Sequence, residues 1–458
     1  MRKNIVLSCA ILAAVGIGLS GCSSTAFSIA NKPTDFVQDF KTPACDTKNY
    51  LADELQKAKD GDDPIYLSIN AASVARSCGK FELSNEFLDL AEDSYKFDVD
   101  LESTTSKVTK NAIGVLLNDT FTDYDGNLYE RIMVNVYKGL NFMSLGDYEN
   151  ARVEFNRALL RQDKAKDYFA AQIAANKKEL EKAKKDDPNY KENAKNSKVI
   201  QEQYSQLFAE FKTSEKFTNP YATYLASVFF FLDGDYANSA DKFREIAIAN
   251  PKNRTFANIN RTLQNKAKRT RDDGKRYIFL AYEDGLGTIK ENFRINMPYV
   301  MSSNNIATLN LALPTLKKRD ASYKNISINN NKAAQVSNFD DIFATEFKIE
   351  LPGIITKSIL SMAAKSATSA AVANDGNGML SLLTSATMSA INVADTRVWQ
   401  TLPKTANIAM VPNNGSYTIK DSTGATIASG KVDKKKNALI WVRSIDKKTQ
   451  PQVIVQER

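Results

Sequence analysis

The sequence of 458 residues contains no histidine, and this absence removes several classes of enzyme. A Ser/His/Asp or Cys/His nucleophile system needs an imidazole to accept a proton, and the usual zinc sites need imidazole ligands. The sequence also lacks a G-x-S-x-G, a Walker A and a G-x-G-x-x-G motif, and it has no complete EF-hand loop. We therefore expect a protein that is not an enzyme and that holds no metal ion and no cofactor other than a covalent lipid.

Long apolar runs are also scarce, and the longest uncharged one lies near the start of the chain. Arg2 and Lys3 precede an apolar run at 5–15, which is shorter than the ~20 residues that span a bilayer. Leu-Ser-Gly-Cys at 19–22 then has the form of a lipobox cleavage site. The sequence predicts that residues 1–21 are a removed signal peptide and that the Cys22 thiol takes up diacylglycerol, with palmitate as a typical acyl chain.

The predicted lipid sets the expected location. Two or three acyl chains together hold a protein stably on a bilayer. Ser23 stands where an inner-membrane retention signal usually has Asp, so the resemblance to Gram-negative lipoproteins implies an outer-membrane lipoprotein that faces the periplasm. Residues 22–44 contain Ser, Thr, Lys and Pro and little apolar content, which predicts a flexible lipidated tether.

Cysteine is rare, with four in the whole sequence. Cys9 leaves with the signal peptide and Cys22 carries the lipid, so only Cys45 and Cys78 remain as thiols. An exported pair of this kind indicates a disulfide, which would stabilise the fold by ~3 to 4 kcal/mol on the chain-entropy model. Two unpaired, buried thiols are the alternative.

The charge is modestly positive. The formal net charge of +8 falls to +6 when Arg2 and Lys3 are removed, and local basic runs lie at 177–185, 266–276 and 431–436. Each run is typical of a solvated helix face or turn, and attraction to anionic lipid or to a cell-wall polymer is the functional alternative. Nucleic acid is not an expected partner outside the cytoplasm.

Three segments share one spacing, in which a glycine is followed two residues later by an aromatic residue and then by small and apolar positions at helical intervals. They begin at Gly79, Gly146 and Gly234. The spacing resembles the turn and second helix of tetratricopeptide repeats. Helical patterns at about 64–77, 128–144 and 219–232 supply the first helices, which gives units at about 64–93, 128–162 and 219–251.

In tetratricopeptide repeats the first helices line a concave groove, and the resemblance carries those positions onto this chain. The groove is either open to an apolar peptide or helix, or covered by another part of the same chain. We call these ten positions the groove residues: Tyr66, Ile69, Met133, Val136, Leu140, Met143, Tyr221, Tyr224, Val228 and Phe231.

The pattern changes at about residue 275 and indicates an α+β protein in two parts. Residues 45–274 form an N-terminal α-helical TPR-like array, with a charged helical insertion at 164–216. Residues 275–458 form a mixed, β-rich domain with a helix at 339–349, a small-residue helical hairpin at 354–394 and antiparallel strands near the C-terminus.

Several motifs together resemble an uncharacterised family of bacterial tetratricopeptide-repeat outer-membrane lipoproteins. They include Tyr129-Glu130-Arg131, Asn219-Pro220-Tyr221, Tyr282-Glu283-Asp284-Gly285 and Asp395-Thr396-Arg397-x-Trp399, and the resemblance runs from about 45 to 420. It implies partners among envelope proteins, including other lipoproteins and components of cell-wall synthesis.

Asp395, Arg397 and Trp399 form the sharpest candidate for a specific site, because an acid, a guanidinium and an indole can bind a carboxylate or a sugar face. In the structural alternative Asp395 caps a turn and Arg397 pairs with Glu283 or Asp284. Three further charged residues either lock helices through ion pairs or contact a ligand: Arg131, Arg152 and Glu154.

These features predict a non-enzymatic scaffold that recruits or positions a partner in cell-wall or outer-membrane assembly. One alternative is a subunit of a secretion or surface-assembly machine. Another is an enzyme that acts on peptidoglycan through carboxylates such as Asp340, Asp341 and Glu346, which would need two of them ~5 to 10 Å apart in a cleft.

Overall fold

The structure is a computed structural model that describes residues 34–47, 49–95, 124–186, 200, 202, 204–212, 219–269, 271–300, 306–374 and 394–458. The predicted signal peptide, the predicted lipidation site Cys22 and the second part of the predicted small-residue hairpin lie outside the described residues. Within them the chain is a mixture of helices and sheets, in agreement with the α+β class.

The N-terminal half consists of helices that pack in chain order. The helices are α1 (Val37–Lys41), α2 (Ala52–Lys59), α3 (Pro64–Ser77), α4 (Phe81–Ser94), α5 (Leu128–Ser144), α6 (Tyr148–Asp163), α7 (Ala165–Asp186), α8 (Pro220–Leu232), α9 (Tyr236–Ala249) and α10 (Arg254–Ala267). The pairs α3/α4, α5/α6 and α8/α9 are hairpins, and each contacts the next along the chain. The three first helices agree with the sequence prediction to within one residue.

Each of the last two hairpins turns at a glycine because the backbone there is left-handed. Gly146 and Gly234 have φ of +79° and +81°, a conformation that other residues adopt only at a cost. The next residue, Asp147 or Asp235, then accepts a backbone N–H bond from three residues on, which caps the second helix. The Gly-Asp-aromatic spacing in the sequence therefore marks a turn and a helix start.

The last part of the predicted tether belongs to the folded body. Phe36 and Phe40 are buried, and the Phe36 N–H donates to Gln400 Oε1 at 2.8 Å. The structure also contains a disulfide between Cys45 and Cys78, which joins the segment before α2 to the end of α3. The chain is thus fixed from about residue 34 onward, because two aromatic side chains in an otherwise polar segment pack against the body.

The described residues of the C-terminal half form three sheets and one long helix. Its elements are β1 (Tyr277–Asp284), β2 (Ile289–Val300), β3 (Ile306–Lys317), β4 (Ser327–Ile328), β5 (Asn331–Lys332), β6 (Ala334–Asn338), α11 (Phe339–Asn374), β7 (Thr405–Pro412), β8 (Ser416–Lys420), β9 (Thr426–Lys431), β10 (Ala438–Ser444) and β11 (Gln452–Glu457). Helix α11 joins the predicted helix at 339–349 to the first part of the predicted hairpin without a break, and it contains Pro352.

The central sheet has the order β11-β10-β1-β7-β6, β2 and β3 form a separate hairpin, and β5-β4-β8-β9 form a third sheet. Strand β1 runs parallel to β10 and antiparallel to β7. This differs from the small antiparallel sheet expected at the C-terminus, because β8 and β9 leave for another sheet while β10 pairs with a strand far away in sequence. An alternation of apolar and polar residues indicates a strand and its buried face, but it does not specify which other strand pairs with it.

The central sheet is buried on both faces. On one face Phe279, Ala281 and Trp441 join the large core that includes the helices. On the other face Ile278, Leu280 and Ile440 pack in a second core with the β4/β8 sheet. Successive side chains of a strand point to opposite faces of the sheet. Because both faces are buried here, most residues of β1 are apolar. The result is three layers, with the central sheet between the helices and the smaller sheet.

Candidate functional site

All ten groove residues are buried, and Met143, at 4 % exposure, is the most accessible of them. The chain itself covers them. The Tyr224 hydroxyl donates to the backbone oxygen of Leu280 at 2.8 Å, and the Phe231 ring lies 4.9 Å from that of Phe279. The Tyr66 hydroxyl donates to the backbone oxygen of Thr34. Of the two arrangements that the sequence allows, the structure has the covered one.

A buried carboxylate on β1 lies at the centre of this contact between the helices and the sheet. Glu283 is completely buried. Its oxygens accept hydrogen bonds from the Tyr137 hydroxyl at 2.9 Å, the Tyr221 hydroxyl at 2.8 Å and the Trp441 indole N–H at 2.9 Å. These donors come from α5, α8 and β10. One carboxylate therefore joins two helical hairpins to the sheet, and a buried acid so well supplied with donors is a fixed structural contact.

Two buried guanidinium groups surround Glu283. Arg443 Nε lies 3.7 Å from Glu283 Oε2, and Arg443 also donates to the backbone oxygen of Thr401 at 2.9 Å. Arg76 lies 4.5 Å from the centre of the Trp441 ring and donates to Asn141 Oδ1. Burial lowers the pKa of Arg76 to about 10, although the nearby Glu283 opposes this shift. Arg76 stays charged at neutral pH, and both buried cations depend on Glu283 for compensation.

The candidate site at Asp395, Arg397 and Trp399 is also occupied by the chain. Arg397 forms ion pairs with Asp63 and Asp395, both at 2.9 Å. Burial by itself lowers the pKa of Arg397, but Asp395 and Asp63 outweigh burial and raise it. The pairing with Glu283 or Asp284 offered by the sequence is therefore not the one found. Glu283 lies opposite Arg443 in the register of β1 and β10, so a nearer cation already occupies that place.

Trp399 holds the segment before β7 onto the first two helical units. Its indole N–H donates to Ser73 Oγ at 2.8 Å, and its backbone N–H donates to Glu130 Oε1 at 2.7 Å. Its ring lies 5.6 Å from that of Tyr137. The neighbouring Gln400 N–H donates to Asn70 Oδ1 at 2.8 Å. Residues 395–400 thus form a strap across the helical array.

Asp340, Asp341 and Glu346 are the carboxylates that the sequence offers for a peptidoglycan-acting enzyme. In the structure each of them accepts hydrogen bonds from nearby groups of the chain. Glu346 accepts the backbone N–H groups of Leu128 and Tyr129 at the start of α5, where a helix favours negative charge. Burial, with a smaller effect of Glu350, raises the pKa of Glu346 well above its usual value. Asp340 pairs with Lys404 and accepts the Thr288 N–H at 2.8 Å, and Asp341 accepts the Lys212 N–H at 3.0 Å.

Charged residues of the helical units also contact one another. Arg152 on α6 pairs with Asp233 at 2.6 Å and Asp235 at 3.1 Å in the turn of the next unit. Glu154 lies 3.1 Å from Lys138. Arg131 donates to the backbone oxygen of Asp125 at 2.7 Å. The ion pairs of Arg152 and Glu154 correspond to the helix-locking alternative, and the Arg131 bond joins α5 to the backbone just before it.

Comparison of the chain with protein-family models, with curated proteins and with solved structures finds no match. In the described part of the chain, no helix has both the length and the apolar character needed to cross a membrane. Over the same residues, no group of three or more acidic or cysteine side chains is arranged to hold a metal ion.

Arg76 and Arg443 organise the buried contacts around Glu283, and neither belongs to a motif named from the sequence. Arg443 is a lone charge in the apolar run Ala438–Ser444, and Arg76 lies near the end of a largely apolar helix. A charged residue inside an apolar stretch is rarely buried without a partner. That pattern would have identified both residues and would have suggested Glu283, in the apolar strand β1, as their counter-ion.

Glu92 on α4 gives the stability of the helical array a dependence on pH. Its carboxylate lies 2.7 Å from Arg161 and 2.6 Å from Lys138. Burial by itself raises the pKa of Glu92, but Arg161 and Lys138 outweigh burial and lower the pKa to about 2. Ionised Glu92 therefore stabilises the folded state at neutral pH, and this contribution disappears as the pH falls from about 4.5 to about 2.

We expect Glu92→Gln to lower the free energy of unfolding at pH 7 by about 1 to 2 kcal/mol, a range that allows for solvent screening. The variant should also lose less stability than the wild type between pH 5 and pH 3. Urea unfolding at several pH values measures both effects. Glu82→Gln, at an exposed position of the same helix, is the control. Equal pH dependence in the wild type and in Glu92→Gln would contradict the assignment.

Proposed function

We propose that this protein is a lipid-anchored lipoprotein of the outer membrane, facing the periplasm, and that it is a non-enzymatic scaffold. In this proposal the three helical hairpins are tetratricopeptide-like units that position a partner protein in cell-wall or outer-membrane assembly. The observation that carries the proposal is that the chain's own sheet covers the first helices, while the second helices leave apolar side chains exposed on their outer side.

The exposed apolar residues are on α6 and α9. Val153 and Leu160 are 45 % and 46 % exposed, and a spacing of seven residues places them on the same face of α6. Ile248 on α9 is 70 % exposed. Single exposed apolar residues are common on soluble proteins, but an aligned pair beside charged residues is typical of a modest protein interface. We therefore assign partner recruitment to the outer side of the hairpins.

The buried contacts support a scaffold because they fix the two halves of the chain to each other. Glu283 bonds to α5, α8 and β10, and the strap around Trp399 adds contacts to α3 and α5. A partner on the outer side would then be held in one orientation relative to the N-terminal tether. Attachment to a membrane raises the local concentration of such a partner without any new contact.

Site-specific photo-crosslinking in intact cells tests the proposal. A photo-reactive residue at Val153, Leu160 or Ile248 is expected to trap one discrete protein. Lys178, which is exposed on α7, is the matched control position. If the three positions trap nothing, or trap the same mixture as position 178, the proposed recruiting face is wrong. Mass spectrometry of a discrete product names the partner.

A further inference from the structure

Two of the basic runs in the sequence form one surface in the structure. The run at 266–276 begins in the last turn of α10, and the run at 431–436 extends from the end of β9 toward β10. Arg276 Nε donates to the backbone oxygen of Lys435 at 2.9 Å. Asn413 connects the same two runs, since its backbone N–H donates to Arg276 O at 2.9 Å and its side chain donates to Lys436 O at 2.7 Å. We call residues 261–269, 271–276 and 431–436 the basic end.

The basic end accounts for the net charge of the chain. The sequence has 61 Lys and Arg and 53 Asp and Glu. Eleven of the basic residues and three of the acidic residues lie in the basic end, which leaves 50 of each for the rest of the sequence. The basic end therefore carries a formal charge of +8, equal to the net charge of the whole sequence. A local excess of this size attracts polyanions and increases their rate of association.

The acidic residues near the end of α10 are used in internal ion pairs. Asp272 pairs with Arg276 at 2.7 Å and with Lys266 at 3.0 Å, and Asp273 pairs with Lys266 at 2.7 Å. These pairs hold the turn in place. The remaining cations project into solvent around them, and the exposed ones include Lys268, Arg271, Lys275, Lys435 and Lys436.

The basic end lies far from the point where the N-terminal tether enters the body. Strand β1 starts at Tyr277, next to the basic end, and its other end reaches Glu283, opposite Arg443. The Arg443 guanidinium lies over the Phe40 ring of α1, 5.5 Å from its centre, close to the tether. Eight residues of strand span about 25 Å. A lipid at the N-terminus would therefore attach the molecule at the end opposite the basic end.

We infer that the basic end docks on the acidic polymer of the cell wall, and that its lysines and arginines contact the carboxylates of peptidoglycan stem peptides. The inference rests on the proposed envelope location. It adds a second attachment, so that the protein would bridge the membrane that holds its lipid and the wall that faces its basic end. Because the contact is electrostatic and exposed to solvent, salt should weaken it strongly.

Co-sedimentation with purified peptidoglycan sacculi tests the inference, using the full chain in a neutral detergent at low and high NaCl concentrations. The test variant replaces Lys268, Lys275, Lys435 and Lys436 by Gln. The control variant makes the same four-charge change at exposed lysines elsewhere, namely Lys57, Lys177, Lys178 and Lys185. A parallel arm uses beads coated with phosphatidylglycerol or with phosphatidylcholine in place of sacculi.

We expect the wild type and the control variant to sediment with sacculi at low salt, and the test variant to bind about tenfold more weakly or worse. Absence of sedimentation, equal loss in both variants, or retention on phosphatidylglycerol beads but not on sacculi would overturn the inference. The assay requires neither lipid on Cys22 nor the partner protein. A failure here is therefore distinguishable from a failure of the proposed scaffold function.

Discussion

Replacement of Glu283 by Ala is expected to lower the free energy of unfolding by about 3 to 5 kcal/mol, the cost of removing one partner from a buried charge cluster. The variant leaves the Tyr137 and Tyr221 hydroxyls and the Trp441 N–H without their acceptor. It also leaves the buried Arg76 and Arg443 without their nearest carboxylate. The effect should be large because all five groups lie where water does not reach them.

Urea unfolding of the purified variant measures this effect, with the slope of the transition as a check on two-state behaviour. Glu149→Ala, at an exposed position of α6, is the control and should change stability by less than about 0.5 kcal/mol. If Glu283→Ala costs no more than the control, the contact between the helices and the sheet does not depend on this carboxylate.

Replacement of Cys22 by Ala is expected to abolish lipid attachment completely. The Cys22 thiol is the nucleophile that the predicted lipobox supplies, and alanine has no group that can take its place. Cells given labelled palmitate should label the wild type and leave the variant unlabelled. The variant should also keep residues 1–21, because cleavage depends on the modified cysteine. Loss of the predicted acyl chains should remove the proposed stable attachment to the outer membrane.

Cys9→Ala is the matched control, since it removes a thiol from the same N-terminal region without touching the lipobox. This variant should be labelled and processed like the wild type. Membrane fractionation and the mass of the N-terminal peptide provide independent readings. Palmitate incorporation in Cys22→Ala at the level of the wild type would exclude the predicted anchor.

The sequence predicted the helical hairpins well because local signals determine them. Gly146 and Gly234 permit the tight turns, Asp147 and Asp235 cap the following helices, and apolar residues recur at helical spacing. The boundaries of α3, α5 and α8 follow directly from these features. The disulfide between Cys45 and Cys78 confirms the pairing indicated by a count of the thiols that remain in a chain predicted to be exported.

Contacts between residues far apart in the sequence were harder to predict. The parallel contact of β1 with β10 joins strands separated by some 150 residues, and no local pattern indicates it. For the same reason the sequence did not decide whether the groove is open or covered by the chain. Tyr224 and Phe231 would have the same spacing whether a foreign peptide or strand β1 covers them. The partner of Arg397 was also misplaced, because Asp63 lies in the turn before α3, far from the motif in sequence.

Acrylamide quenching of intrinsic fluorescence tests most directly whether the chain's own sheet covers the helical array. The sequence has only two tryptophans, and Trp399 and Trp441 both lie in that contact with 2 % of their surface exposed. We predict blue-shifted emission and little quenching in the native protein, both lost only in the cooperative unfolding transition. Red-shifted emission with ready quenching under native conditions would show that the contact is open, and would contradict the covering of the helical array by the chain's own sheet.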